Sequence, residues 1–138
     1  MGRLNLPDIM VGSIARIPAP SVTPSTPVTR IASIMAKQDV GAVIVASDFE
    51  VLGIVTERDI INKVALAEKN LNEVVAQDIM TSPAITITYE RTIQEALKIM
   101  RENRIRRLVV VKGGNVFGLV TERRALLTDF AEHNVTKK

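Results

Sequence analysis

The heptapeptide Gly53-Ile54-Val55-Thr56-Glu57-Arg58-Asp59 and its near copy Gly118-Leu119-Val120-Thr121-Glu122-Arg123-Arg124 decide the reading of this chain, because they lie 65 residues apart. The spacing holds well beyond them. Residues 20–61 laid over 85–126 need no gap and give ten identities in 42 positions, among them Ile34 with Ile99 and Met35 with Met100. Self-similarity at such a period means one supersecondary unit used twice, here over 1–70 and 71–138. Upstream, Asp8-Ile9-Met10 matches Asp78-Ile79-Met80 at an offset of 70. That match assigns five extra residues to the first copy, in the Pro-rich stretch from Val11 to Pro20, and predicts a surface loop there.

Each copy reads β-α-β-β-α. Residues 20–23 and 85–88 are short β-rich segments ahead of helix starts, one marked by Thr26-Pro27 and the other by the capping-box spacing of Thr92 and Glu95. Val28, Ile31, Ala32 and Met35 recur at helical spacing, as do Ile93, Ala96, Leu97 and Met100. Two strands follow in each copy, over 42–46 and 51–55 and over 108–111 and 116–120. A final helix begins near Thr56 and another near Thr121. The strands are continuously apolar, which predicts sheets with little exposure and halves that pack on each other.

Composition narrows the function. The chain has 138 residues, 46% hydrophobic and 24% charged, with no Cys and one His. It can bury a core, and disulfides, thiolate metal sites and cysteine nucleophiles are excluded. No apolar run approaches the roughly 18 residues of a membrane span, and the N-terminus lacks a signal-like core, which predicts a cytoplasmic protein. His133 has no paired nucleophile motif and no metal-ligand spacing occurs, so the expectation is a non-enzyme without a metal. The net charge of +3 sits unevenly: 1–70 carry seven basic and seven acidic residues, and 71–138 carry eleven and eight.

The motif admits two readings. Thr56 and Asp59 have the spacing of a capping box, which would do no more than satisfy amides at a helix start. Against this, a glycine inside a strand asks for a close approach, and a strand-to-helix junction offers amides to an anion. The arrangement also occurs twice. Two β-α-β-β-α copies, each carrying Gly-apolar-x-Thr with an acid three residues on in the first, resemble a tandem pair of cystathionine-β-synthase (CBS) domains, the Bateman module. The resemblance covers residues 8 to about 130. It implies an α/β fold in which two repeats pack sheet to sheet with pseudo-twofold symmetry, and a regulatory module that binds AMP, ADP or ATP, or an S-adenosyl compound such as S-adenosylmethionine. It also implies a homodimer meeting through helices and an effector protein that reads occupancy.

On this resemblance Asp59 accepts the ribose hydroxyls, Thr56 donates to a ribose or phosphate oxygen, and Gly53 lets the ligand approach. Arg58 belongs to the same motif. Val22, Ile85 and Ile87 are candidates to flank adenine. In the second copy Thr121 and Arg123 match the pattern, but Arg124 stands where the acid would be. Guanidinium is a donor only, so it cannot accept ribose protons. Its place at a helix start suggests an anionic partner, either Asp59 or a ligand phosphate. Arg106 and Arg107, just ahead of a strand, suit phosphate oxygens, whereas Arg101 and Arg104 read as a solvated helix end. A nucleic-acid-binding regulator is an alternative reading of the arginine cluster, against which stand the four aromatic residues of the chain and its small net charge. A ligand-free scaffold is the alternative from a different class.

Overall fold

The computed structural model describes residues 8–136, with side chains through 132. It divides into two compact units that are not consecutive stretches of chain. One comprises residues 19–84 with 114–116; the other comprises residues up to 18, 85–113 and 117 onward.

In the first of these, β1 (Ser21–Val22), β2 (Ala42–Ser47) and β3 (Glu50–Thr56) form a sheet in that order. Strand β1 runs parallel to β2, and β3 returns antiparallel. Helix α1 (Val28–Gln38) crosses between β1 and β2, burying Val28, Ile31 and Met35, as its apolar spacing requires. Pro27 is its N-cap and supplies no side-chain cap, so the Val28 amide is satisfied by the Val74 carbonyl at 2.9 Å. After β3 come a single turn, α2 (Glu57–Ile60), a π-helical turn over Ile61–Ala65, and a short helix, α3 (Ala76–Ile79). Val22, Val43, Val45, Val55, Val64 and Ile79 close the core of this unit with the α1 residues.

The second unit repeats the scheme. Strands β4 (Thr86–Thr88), β5 (Arg107–Lys112) and β6 (Asn115–Thr121) form a sheet in that order, with β4 parallel to β5. Helix α4 (Ile93–Asn103) opens on the expected capping box: Glu95 N donates to Thr92 Oγ1 at 3.1 Å, and Thr92 N donates to Glu95 Oε1 at 2.9 Å. Helix α5 (Glu122–Thr136) closes the chain; the side chain of His133 lies outside the described residues. Ala42 to Val45 and Leu108 to Val110 are fully buried on both strand faces, as their unbroken apolar runs predict.

The stretch 11–20 is a surface loop only in part: Ser13 and residues 16–18 are exposed, but the segment is anchored to its unit. Val11 is fully buried in a 3-10 turn over Val11–Ser13, and Arg16 exchanges two backbone hydrogen bonds with Leu119 of β6 at 2.8 and 3.2 Å. The segment does not hold an insertion. Val11 N bonds Arg91 O and Gly12 N bonds Tyr89 O, while Ala76 N bonds Thr26 O and Gln77 N bonds Pro24 O. Every one of these positions pairs with its counterpart at an offset of 65. The offset of 70 carried by Asp-Ile-Met is therefore a coincidence of side chains. Residues 9–18 serve the second repeat as 74–83 serve the first.

Candidate ligand site

The first heptapeptide spans the end of β3 and the start of α2. Its glycine has a structural cause: a Cβ on Gly53 would sit 2.7 Å from the Thr81 carbonyl oxygen and 2.9 Å from the Met80 sulfur. Residues 80–82 cross β3 there, with Ile54 and Thr81 exchanging backbone hydrogen bonds at 2.9 and 3.1 Å and Ser82 Oγ donating to Leu52 O at 2.7 Å. A Cβ on Gly118 would likewise sit 2.8 Å from the Arg16 carbonyl oxygen. The close approach that Gly53 admits here is the chain's own backbone, which accounts for a glycine at this position.

Thr56 and Asp59 do form a reciprocal capping box. Asp59 N donates to Thr56 Oγ1 at 3.2 Å, and Asp59 Oδ2 accepts from Thr56 N at 2.9 Å and from the Thr56 hydroxyl at 3.1 Å. The other carboxylate oxygen, Oδ1, takes the Lys63 ammonium at 3.1 Å. Asp59 is only 8% exposed, a buried carboxylate among otherwise apolar buried residues. Its ion-pair partner within its own unit is Lys63, four residues on. The junction amides expected to greet an anion are partly engaged already, since Glu57 N bonds Gly41 O at 3.0 Å and Asp59 N bonds Thr56. What remains open is the second lone-pair region of Asp59 Oδ1.

The second heptapeptide keeps half of this arrangement. Arg124 N donates to Thr121 Oγ1 at 3.2 Å, but Arg124 has no acceptor to return, so the box is one-armed. Arg123 and Arg124 are exposed. The Glu122 amide bonds the Arg106 carbonyl at 2.8 Å, which brings exposed Arg106 and half-buried Arg107 to the same corner as Arg123 and Arg124. Arg58 is exposed in the first motif. Of the residues expected to flank adenine, Val22 and Ile87 are core members of their units, 8% and 5% exposed, and Ile85 is open at the edge of β4. Lys63 was legible in the sequence through the Asp-then-Lys i,i+4 spacing, yet the motif pattern ends before it. A separate open groove of about 440 Å³ runs between β4 and α4, lined by alternating Arg91, Glu95, Lys98 and Glu102 over Ile87 and Ile99.

The family model for the CBS domain matches twice, over residues 11–66 and 75–128. The chain belongs to the CBS-domain family. An uncharacterised protein of Methanopyrus kandleri is 37% identical over 115 residues, covering 82% of this chain and 59% of its own. The chain spans about 40–60% of the first curated relatives it matches. Among solved structures, a CBS-domain protein from Burkholderia ambifaria superimposes with a TM-score of 0.81 at 27% identity, covering 90% of this chain and 96% of that one. A CBS domain protein from Pyrobaculum aerophilum, complexed with AMP, gives a TM-score of 0.79 at 26% identity, covering 90% and 99%. The two β-α-β-β-α repeats are thus a CBS pair with two three-stranded sheets, and no described helix is long and apolar enough to cross a membrane.

Proposed function

We propose that this CBS pair is a regulatory module that binds an adenine nucleotide, AMP, ADP or ATP, through the ribose at Asp59. One observation carries the reading: a carboxylate on a residue 8% exposed, fixed by two hydrogen bonds and an ammonium, that still has acceptor capacity at Oδ1. A helix cap needs only one carboxylate oxygen, and Oδ2 serves it. The AMP in the Pyrobaculum structure supports the choice of ligand class. Because Arg124 offers no acceptor, the module takes one nucleoside per chain, and the arginine corner of residues 106, 107, 123 and 124 takes phosphate or another anion. Occupancy passes to an effector protein by a population shift between two arrangements of the chain.

The decisive experiment is calorimetry with AMP, ATP, S-adenosylmethionine and a short DNA, alongside Asp59→Ala. AMP or ATP should bind at one site per chain, and Asp59→Ala should weaken binding by about 2–4 kcal/mol through the loss of charge-assisted hydrogen bonds. It should also lower fold stability by about 1 kcal/mol, because the cap goes with it. Equal affinity in the variant, or two equal sites in the parent, would sink this reading. We further expect a homodimer built on the exposed Leu126, Leu127 and Phe130 of α5, which are 50%, 56% and 66% exposed. Light scattering that returns one chain mass at micromolar concentration would exclude it.

A further inference from the structure

The two repeats differ at more than the motif acid. Four residues after Asp59 stands Lys63, and four after Arg124 stands Thr128. The Lys63 ammonium forms an ion pair with Asp59 Oδ1 at 3.1 Å and donates to the Ile79 carbonyl, at the end of α3, at 2.9 Å. Thr128 instead donates back to the Arg124 carbonyl at 2.8 Å. The backbone parts company at the same place. After Asp59 it widens into the π-turn Ile61–Ala65, closed by Leu66 N on Ile61 O at 2.8 Å, whereas α5 stays α-helical to Thr136. Such turns gather at functional sites. Acid, base and widened turn occur together in one repeat and are missing together from the other, as parts of one device would be.

An ammonium has three donors. One of those on Lys63 is spent on the Ile79 carbonyl, Asp59 Oδ1 lies 3.1 Å away as an ion-pair partner, and the side chain is 45% exposed, so donor capacity is left for a ligand. Beside it, Asp59 Oδ1 keeps acceptor capacity. A free donor and a free acceptor 3.1 Å apart match two neighbouring hydroxyls, one accepting as the other donates. The Ile79 carbonyl tethers the ammonium, so less side-chain entropy is lost on binding than for an untethered lysine. We infer that Lys63 is a ligand-contacting residue that, paired with Asp59, selects a vicinal diol. This rests on the reading of Asp59 as a ribose acceptor and adds the group that completes it.

The test is calorimetry of AMP and 2′,3′-dideoxy-AMP against the parent, Lys63→Met, Asp59→Asn and the double variant, with unfolding of each followed by circular dichroism. Lys63→Met should weaken AMP about tenfold or more, the equivalent of one charge-assisted hydrogen bond. It should leave 2′,3′-dideoxy-AMP unchanged, and it should still cost AMP affinity when added to Asp59→Asn. A lysine that only supports the fold would weaken both nucleotides alike. One that acts only by holding Asp59 would cost nothing further in the Asp59→Asn background. Either result overturns the inference, as does unaltered AMP affinity in Lys63→Met. Failure of the parent to bind AMP is a separate outcome, because it removes the ribose reading itself. Should Lys63→Met not fold, Lys63→Gln keeps a donor for Ile79 O, and the same measurements decide.

Discussion

Asp48 and Phe49 turn the β2–β3 hairpin with φ of 51° and 69°, at the positions where the second repeat has Gly113 and Gly114 with φ of 59° and 83°. The left-handed region costs a residue with a Cβ about 1–2 kcal/mol, and aspartate tolerates it better than phenylalanine. Phe49 is 74% exposed and so regains little by burial. Phe49→Gly should therefore stabilise the fold, by up to about 1 kcal/mol once the entropy cost of glycine is deducted. The reverse change, Gly114→Phe, should destabilise it. Urea midpoints measure both; a Phe49→Gly midpoint at or below that of the parent would show that strain is not stored there. At this scale the sequence was informative where chemistry is local. The Thr56–Asp59 and Thr92–Glu95 spacings gave true capping boxes because both partners lie within one turn. The packing reason for Gly53 was not legible, because its neighbour, the Thr81 carbonyl, is a backbone atom 28 residues away that no side-chain pattern announces.

Helix α4 owes its start to a carboxylate. Glu95 is held below its ordinary pKa near 4.5, first by the hydrogen bond from the Thr92 amide and then by that from Arg91, whose guanidinium lies 2.6 Å from Oε2. A carboxyl with a lowered folded pKa contributes stability that is present above its unfolded value and fades as pH falls through the folded one. The capping contribution of Glu95 should then disappear on acidification below about 4.5. Glu95→Gln should be less stable than the parent at neutral pH and converge on it in acid, as urea midpoints across that range would record; a constant offset would mean the charge is irrelevant to the cap. Strand limits and the starts of α1, α2, α4 and α5 were legible to within a residue or two, because burial dictates the apolar period. The π-turn was not, since Ile60, Ile61, Val64 and Ala65 suit an α-helix equally well and the widening depends on how Leu66 and Lys69 close it.

The whole molecule is two repeats that exchange their leading segments. Residues 9–18 complete the unit containing β4, β5 and β6, and 74–83 complete the unit containing β1, β2 and β3, so neither repeat holds its own finished core. Sequence comparison could not see this, because the equivalence is written in backbone hydrogen bonds, which are blind to side chains, and because Asp-Ile-Met supplied a false register. The consequence is measurable. Five backbone hydrogen bonds tie residues 9–16 to their unit: Ile93 N to Ile9 O, Val11 N to Arg91 O, Gly12 N to Tyr89 O, and the Arg16–Leu119 pair. At about 0.5–1.5 kcal/mol net apiece they contribute some 2.5–7.5 kcal/mol, and burial of Val11 adds about 1.5 kcal/mol. That is comparable to the entire stability of a typical domain, about 5–15 kcal/mol. Removal of residues 1–18 should therefore unfold the β4-β5-β6 unit while leaving 19–84 with its internal contacts. Hydrogen exchange should show lost protection over 85–112 and retained protection over 42–56, and Val11→Asp in the full chain should weaken the same region. Equal protection of both regions in the shortened chain would show that the leading segment is a passenger on its unit.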